Sequence, residues 1–257
     1  MKLPISIFTL VLDAMRFLPR QLAIFEQLQR PWHWCIVSGV ADSVLDTSWV
    51  SKMPPRLSRD GTDEWLNAVL DHPNITVLRR QLWPGKNAMV NAALSRIKES
   101  CVVLQCDADE FWTPKQLDEI CGQFENTNAD SMRFFCRYYL GENIIATGEN
   151  CWSARAGEWH RAWRWNSNMV SLSHEPPKMQ GIGPRCMTRD ETRRRGLVFE
   201  HEAYKYREVV AWKMAYYKYP NLVSQWERLQ ANQHWPVKRL ADYFPFVGEG
   251  VGADLLP

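Results

Sequence analysis

Asp107 and Asp109 are the residues best placed to do chemistry, because they lie two positions apart directly after the apolar run at 101–105. Carboxylates at this spacing can share one divalent cation, or divide a cation and a ribose between them. Mg²⁺ and Mn²⁺ prefer such oxygen ligands and keep open positions for a substrate diphosphate. The alternative is an acidic turn that caps the next helix through the helix dipole. The preceding strand pattern and the adjacent Glu110 favour a metal site.

The segments that must position these carboxylates alternate between strand and helix patterns. Strands are predicted at 5–12, 34–37, 75–78 and 101–105, and helices at 18–28, 64–70 and 87–98. This alternation predicts an α/β fold with a mostly parallel, mixed sheet flanked by helices. Ligands of such sheets bind beyond the carboxyl ends of the strands, which is where the acidic pair falls.

Later segments are predicted with less regular alternation. Thr113 is a suitable N-cap for a helix over 113–124, with Pro114 at the first helical position. Further strands are expected at 131–140 and 163–173, and the stretch 42–62 is expected to be a long surface loop. The tail has a helix-like pattern. We therefore expect a catalytic domain at 1–203 and a C-terminal helical extension at 204–257 packed on it.

Composition excludes several classes of protein. The 257 residues carry a formal net charge of +2 and are 46% hydrophobic, which argues against disordered chains, fibrous chains and nucleic-acid scaffolds. The seven cysteines contain no CxxC pair, so a reduced, cytoplasmic setting without zinc is expected. No apolar run reaches the roughly 18 residues of a membrane span, which predicts at most peripheral membrane association.

Two glycine-containing segments fail as nucleotide-binding loops. Gly85-Lys86 lacks the upstream glycine of a P-loop because Arg80 stands there, and Asn87 replaces the magnesium-binding Ser or Thr. Gly181-Ile182-Gly183 lacks the third glycine of a dinucleotide-binding turn. Neither Walker-type hydrolysis nor dinucleotide binding is indicated.

Four pieces of the chain, in order, resemble the family 2 glycosyltransferases of GT-A fold, in particular bacterial enzymes that extend lipopolysaccharide and other surface glycans. They are IFTLVLD, WPGKNAMVNAAL, VLQCDADEFWTPKQL, and RAWRWNSNMVSLSHEPP followed by FEHEAYKY. The resemblance covers about residues 3–220. It implies a GT-A (nucleotide-diphospho-sugar transferase) fold.

The resemblance also implies roles for individual residues on the donor side. Asp107 and Asp109 match the DxD motif, in which the first carboxylate faces the ribose or metal and the second binds Mn²⁺ or Mg²⁺. His201 matches a late histidine that completes the metal or diphosphate shell. Lys86 and Asn91 match the region that contacts the donor.

His174-Glu175 matches the HE motif of the lipopolysaccharide-type enzymes, in which Glu175 would be the catalytic base. An inverting transfer needs a carboxylate to take the acceptor hydroxyl proton. Glu158 and Glu110 are rival bases. Alternatively, Glu175 forms an ion pair with Arg161 or Arg164. These two arginines are themselves candidates for phosphate binding, and Arg164 is included in the predicted donor site.

The chain departs from the family pattern at the end of the second strand, where Ser38-Gly39-Val40-Ala41 carries no acidic residue to read the nucleotide. Asp13, Asp42 or Asp60 could replace that contact, and Asp13 is included in the predicted donor site. The donor nucleotide is therefore left open among UDP, GDP and dTDP.

The resulting expectation is a metal-dependent, inverting glycosyltransferase. It would move a sugar from a nucleotide-sugar donor to a hydroxyl of a glycan or glycolipid acceptor, with no nucleic-acid partner. The alternatives are a sugar-nucleotide nucleotidyltransferase, disfavoured because the Gly-rich basic N-terminal loop is missing, and an inactive glycan- or nucleotide-binding module of the same fold.

Overall fold

A computed structural model describes residues 2–42, 51–148 and 159–256. The strands of these residues are β1 Ile5–Val11, β2 Trp32–Ala41, β3 Ile75–Trp83, β4 Val102–Gln105, β5 Glu110–Phe111, β6 Ser131–Arg133, β7 Phe135–Tyr138, β8 Ile144–Thr147, β9 His160–Arg164, β10 Val170–His174, β11 Pro177–Gln180, β12 Cys186–Met187, β13 Val198–His201 and β14 Gly252–Leu255. The helices are α1 Leu18–Phe25, α2 Thr62–Ala68, α3 Lys86–Leu94, α4 Pro114–Asn126, α5 Arg189–Arg194, α6 Arg207–Tyr217 and α7 Leu222–Gln230.

The central sheet has the strand order β12-β6-β9-β4-β1-β2-β3. Strands β4, β1, β2 and β3 run parallel to their neighbours in that series, whereas β9 is antiparallel to both β4 and β6. The expected α/β class with a mostly parallel, mixed sheet is confirmed.

Alternation along the central strands distributes their side chains between two hydrophobic cores, one on each face of the sheet. In β1, Ile5 and Ile7 belong to the core that contains α1 and α4, whereas Phe8 belongs to the core that contains α3. Successive side chains of a strand point to opposite faces, so a continuous apolar run indicates burial on both. The apolar pattern thus explains why helices cover both faces.

Local signals for α4 agree with the structure. The Thr113 side chain accepts a hydrogen bond from the Gln116 N–H, and the Gln116 side chain accepts one from the Thr113 N–H. This reciprocal capping box satisfies backbone donors that the first helical turn would otherwise leave unpaired. The helix therefore begins where the sequence predicts, immediately after the acidic segment.

Other boundaries differ from the sequence expectations. Strands β2 and β3 extend beyond the predicted 34–37 and 75–78, and they pair along most of their length. The expected single strand at 131–140 is two strands, β6 and β7, which belong to different sheets. The expected β-structure at 163–173 is likewise divided between β9 and β10. Of the expected loop at 42–62, residues 43–50 lie outside the described residues.

The tail after residue 203 is not wholly helical. It contains α6 and α7, but β14 then pairs antiparallel with β8, from the middle of the chain. The expectation of a helical tail relied on the local sequence pattern, which contains no signal for this long-range pairing. Among the described residues, no helix combines the length and apolar character needed to cross a bilayer.

Candidate functional site

A cavity of about 820 Å³ lies at the carboxyl ends of β1 and β4, and residues of α6 form part of its lining. Most of the predicted site residues line it: Asp13, Lys86, Asp107, Asp109, Glu175 and His201. Ligand sites of α/β sheets are expected at this edge. The topology therefore brings together side chains that lie far apart in sequence.

Asp107 follows β4 and contacts two cationic or ionisable groups. Its Oδ2 lies 3.1 Å from Arg161 Nη2, and its Oδ1 lies 3.5 Å from His174 Nε2. Burial disfavours ionisation of this carboxyl, but Arg161 and His174 outweigh that effect and hold the pKa of Asp107 well below its usual range. Asp107 is therefore an anion that faces the cavity.

Asp109 is held between the tail and β13. Lys213 on α6 donates a 2.8 Å hydrogen bond to Asp109 Oδ2, and His201 Nε2 lies 3.4 Å from Oδ1. The register of β13 against β5 pairs His201 with Glu110, which places the imidazole beside the acidic turn. Burial opposes ionisation, but Lys213 and His201 hold the pKa of Asp109 well below its usual range.

Glu175 lies in the turn between β10 and β11. Lys86, the first residue of α3, donates a hydrogen bond to Glu175 Oε1, and His174 Nδ1 lies 3.4 Å from the same oxygen. Despite burial, these neighbours keep the pKa of Glu175 far below its ordinary value. The ion-pair partner of Glu175 is thus Lys86, whereas the sequence suggested Arg161 or Arg164.

Glu110, a rival base, is fully buried and bound by Arg161, whose guanidinium nitrogens lie 2.7–3.1 Å from its two carboxylate oxygens. Burial raises the pKa of Glu110 although Arg161 opposes the rise. Glu110 does not line the cavity, so it cannot reach a substrate there. The other rival, Glu158, lies outside the described residues.

Two residues predicted to contact the donor lie outside the cavity lining. Arg164 donates to the carbonyls of Phe124, Thr127 and Ala129 at the end of α4. Asn91 exchanges hydrogen bonds with the backbone of Ser171, so it fixes β10 on α3. Both side chains therefore position elements of the fold, and neither lines the cavity.

Asp13 lines the cavity, but protein donors already bind its carboxylate. Arg56 binds both oxygens, the Arg59 N–H donates to Oδ1 at 2.8 Å, and Trp212 Nε1 donates to Oδ2 at 3.0 Å. Burial opposes ionisation, yet these donors lower the pKa of Asp13. Asp13 therefore connects the segment before α2 with α6 at the edge of the cavity.

Sequence reasoning missed the contribution of the tail. Lys213, Trp212 and Tyr216 come from α6, and each lines the cavity. No motif marked them, because their position depends on how α6 packs on the sheet rather than on local sequence. The sequence marks His174 only as part of a motif, whereas in the structure its ring lies between the Asp107 and Glu175 carboxylates.

The donor set at Asp109 and His201 suits a divalent cation that takes further ligands from a substrate. Their facing atoms are 3.4 Å apart, close to the roughly 3 Å between adjacent ligands in an octahedral shell of about 2.1 Å bonds. The described residues contain no group of three or more His, Cys, Asp or Glu side chains arranged to hold a metal. A cation held by Asp109 and His201 would take its remaining ligands from phosphate and water, and it would compete with Lys213, which pairs with Asp109 Oδ2.

Arg161 is a buried cation whose loss should lower stability. Its side chain is 3% exposed and pairs with Glu110, which is 0% exposed. Removing one member of a buried pair leaves an uncompensated charge and costs about 3–5 kcal/mol. We expect Arg161→Ala to lower the free energy of unfolding by about that amount in urea titration, whereas Arg193→Ala, at an exposed arginine, should leave it nearly unchanged. Equal unfolding midpoints for the two variants would refute the structural role of Arg161.

No protein-family model matches the chain, and no curated protein matches it significantly in sequence. Solved structures similar to it include TarS from S. aureus, with a TM-score of 0.46, 11% identity and coverage of 90% of this chain and 43% of TarS. The mannosyltransferase PcManGT from Pyrobaculum calidifontis, in complex with GDP-Man and Mn²⁺, has a TM-score of 0.40, 17% identity and coverage of 53% and 36%.

A 4-diphosphocytidyl-2C-methyl-D-erythritol synthase is also similar, with a TM-score of 0.38, 13% identity and coverage of 64% of this chain and 75% of that one. This chain spans less than half the length of TarS and of the mannosyltransferase. The chain is an α/β protein similar, at low identity, to GT-A-type glycosyltransferases of solved structure.

Proposed function

We propose that the chain is a metal-dependent, inverting glycosyltransferase of GT-A fold, which transfers a sugar from a nucleoside-diphosphate donor to a hydroxyl of a glycan or glycolipid. The observation that carries this proposal is the convergence of Asp107, Asp109, Lys86, Glu175 and His201 on one cavity. An acidic pair, a buried lysine and a separate ionised glutamate are the groups that diphosphate departure and acceptor activation require.

On the donor side, the acidic pair lies at the carboxyl end of β4, and cations surround it. Asp109 and His201 would hold Mn²⁺ or Mg²⁺, with Asp107 facing the ribose or the same ion. When bound, the cation would stabilise the charge of the departing nucleoside diphosphate as a Lewis acid. Lys86 and Lys213 are point charges that can bind phosphate oxygens at the same cavity.

On the acceptor side, Glu175 is ionised and lines the cavity, with a side chain that is 32% exposed. It can accept the proton of the acceptor hydroxyl as that oxygen bonds to the anomeric carbon. The bond from that carbon to the phosphate oxygen breaks, and its electron pair leaves with the diphosphate. Attack opposite the leaving group inverts the anomeric centre.

Thermal-shift measurements with UDP, GDP, dTDP and CMP, each with and without Mn²⁺, test the donor site. A ligand that binds only the folded state raises its stability, and at 100 times the dissociation constant the rise is about 2.7 kcal/mol. For a chain of this size that corresponds to roughly 5 °C or more. We expect one nucleoside diphosphate to give this shift only with Mn²⁺. No shift with any of the four at millimolar concentration would contradict the donor site.

The cytoplasmic setting and the division at residues 203 and 204 remain predictions. The same holds for at most peripheral membrane association. The proposed chemistry does not depend on any of these three predictions.

A further inference from the structure

Aromatic rings from the tail line one side of the cavity. Tyr217 is the last residue of α6, and Tyr219 lies two positions later. Phe246 comes from the segment beyond α7. The Tyr219 and Phe246 rings stack with their centroids 4.2 Å apart and their planes 5° from parallel. The Tyr217 and Tyr219 centroids are 5.9 Å apart, with an interplanar angle of 28°. These three rings, which we call the tail platform, form a stack, and each of them lines the cavity.

The tail platform lies next to the proposed base. Lys86, which binds Glu175, lies 5.6 Å from the ring centroid of Tyr216, the neighbour of Tyr217 in α6. Tyr216 and Tyr217 also contact each other edge to face, with centroids 4.9 Å apart. The three platform rings and Glu175 also line the same cavity, so one bound group can meet both.

The tyrosine hydroxyls of the platform are uncharged. Burial, followed by the charge of Glu175, raises the pKa of both Tyr217 and Tyr219. A carboxylate disfavours a nearby phenolate, so both phenols stay neutral hydrogen-bond donors and acceptors. The platform thus combines apolar ring surface with neutral hydroxyls beside a carboxylate.

These features match the chemistry of a neutral sugar ring. A pyranose has an apolar face of C–H groups that packs on aromatic rings, and hydroxyls at its edge that hydrogen-bond to phenols and carboxylates. Aromatic side chains give large contact area at low entropic cost, and specific sites combine such surface with a few converging polar groups. A strongly anionic ligand would instead meet the Glu175 charge.

We propose that the tail platform of Tyr217, Tyr219 and Phe246 binds the terminal neutral sugar of the acceptor and presents its hydroxyl to Glu175. The identification of the bound sugar as the acceptor rests on the proposed function, but the binding of a saccharide by these rings can be measured without turnover. The alternative hypothesis is that the rings stack on the nucleobase of the donor.

The test measures saccharide binding directly by saturation-transfer difference NMR. The probes are methyl pyranosides of glucose, galactose, mannose and N-acetylglucosamine and their common disaccharides, with the protein in Mg²⁺. We expect at least one probe to receive saturation on the C–H protons of one ring face. The double variant Tyr217→Ala/Tyr219→Ala should weaken that binding about tenfold, which is the scale of one good aromatic contact.

Conservative and control variants separate binding from folding. The double variant Tyr217→Phe/Tyr219→Phe keeps the rings and should retain the ring-face contacts. Tyr243→Ala removes a tail tyrosine that does not line the cavity and should bind like the native protein. Melting temperatures identify any variant that fails to fold, in which case the Phe variants and single Ala variants carry the comparison.

Three results would overturn the proposal. In the first, no saccharide probe receives saturation from the native protein. In the second, the Ala double variant binds the saccharide as the native protein does. In the third, the same variant loses nucleoside-diphosphate binding instead, which would assign the rings to the donor base. Saccharide binding that depends on the rings in a protein without transferase activity would refute the proposed function but support this inference.

Discussion

Asp109→Asn should reduce transfer by about 10³-fold or more while leaving the protein folded. The asparagine keeps the size of the side chain and an oxygen that can accept the Lys213 hydrogen bond, but it loses the charge that holds a divalent cation. A metal acting as a Lewis acid lowers the activation barrier by several kcal/mol, and each 1.36 kcal/mol corresponds to a tenfold change in rate. Steady-state rates over a Mn²⁺ titration measure the effect.

Two further measurements make the Asp109 result specific. Mn²⁺ binding, followed by electron paramagnetic resonance, should weaken in Asp109→Asn even without a donor. Asp71→Ala removes an exposed carboxylate and should change neither Mn²⁺ affinity nor rate. If Asp109→Asn kept full activity with an unchanged Mn²⁺ requirement, the metal assignment would be wrong.

Glu175→Gln should lower kcat by about 10²- to 10⁴-fold, the usual contribution of a general base. The amide keeps an oxygen for Lys86 but cannot take the acceptor proton. Because Asp107 and Asp109 stay in place, binding of the nucleoside diphosphate in the presence of Mn²⁺ should change little. A fall in kcat with unchanged donor affinity indicates a loss confined to the transition state.

Matched variants identify the base. Glu142→Gln alters an exposed glutamate and should be neutral. Glu158→Gln tests the rival outside the described residues, and it should retain most of the activity. A severe loss in Glu158→Gln, together with a nearly active Glu175→Gln, would move the role of base to Glu158.

The parts of the site that local sequence could predict are those that follow a strand directly. The apolar run before Asp107 predicts a buried strand, and ligands of parallel sheets bind beyond the carboxyl ends of the strands. The Thr113 capping box fixes where α4 begins, and so limits the acidic turn to a few residues. Both signals are local, which is why they could be read without a structure.

The parts that could not be predicted depend on contacts between distant segments. Lys213 binds Asp109, which lies 104 positions earlier in the sequence. Strand β14, near the end of the tail, pairs with β8 from the middle of the chain. Arg164 has the type of side chain that suits a phosphate, yet it binds the end of α4. Residue type and motif position could not distinguish Arg164 from Lys86, because only packing determines which of them faces the cavity.

The most direct test of the central claim is the fate of a sugar nucleotide. Purified protein is incubated with UDP-, GDP- and dTDP-sugars, Mn²⁺ and the methyl glycosides that bind, and the nucleotides are separated by ion-exchange chromatography. The account predicts release of a nucleoside diphosphate and a matching glycoside product, both lost in Asp109→Asn. Formation of a sugar nucleotide from a nucleoside triphosphate and a sugar phosphate, with no nucleoside diphosphate from any sugar nucleotide, would contradict it and identify a nucleotidyltransferase.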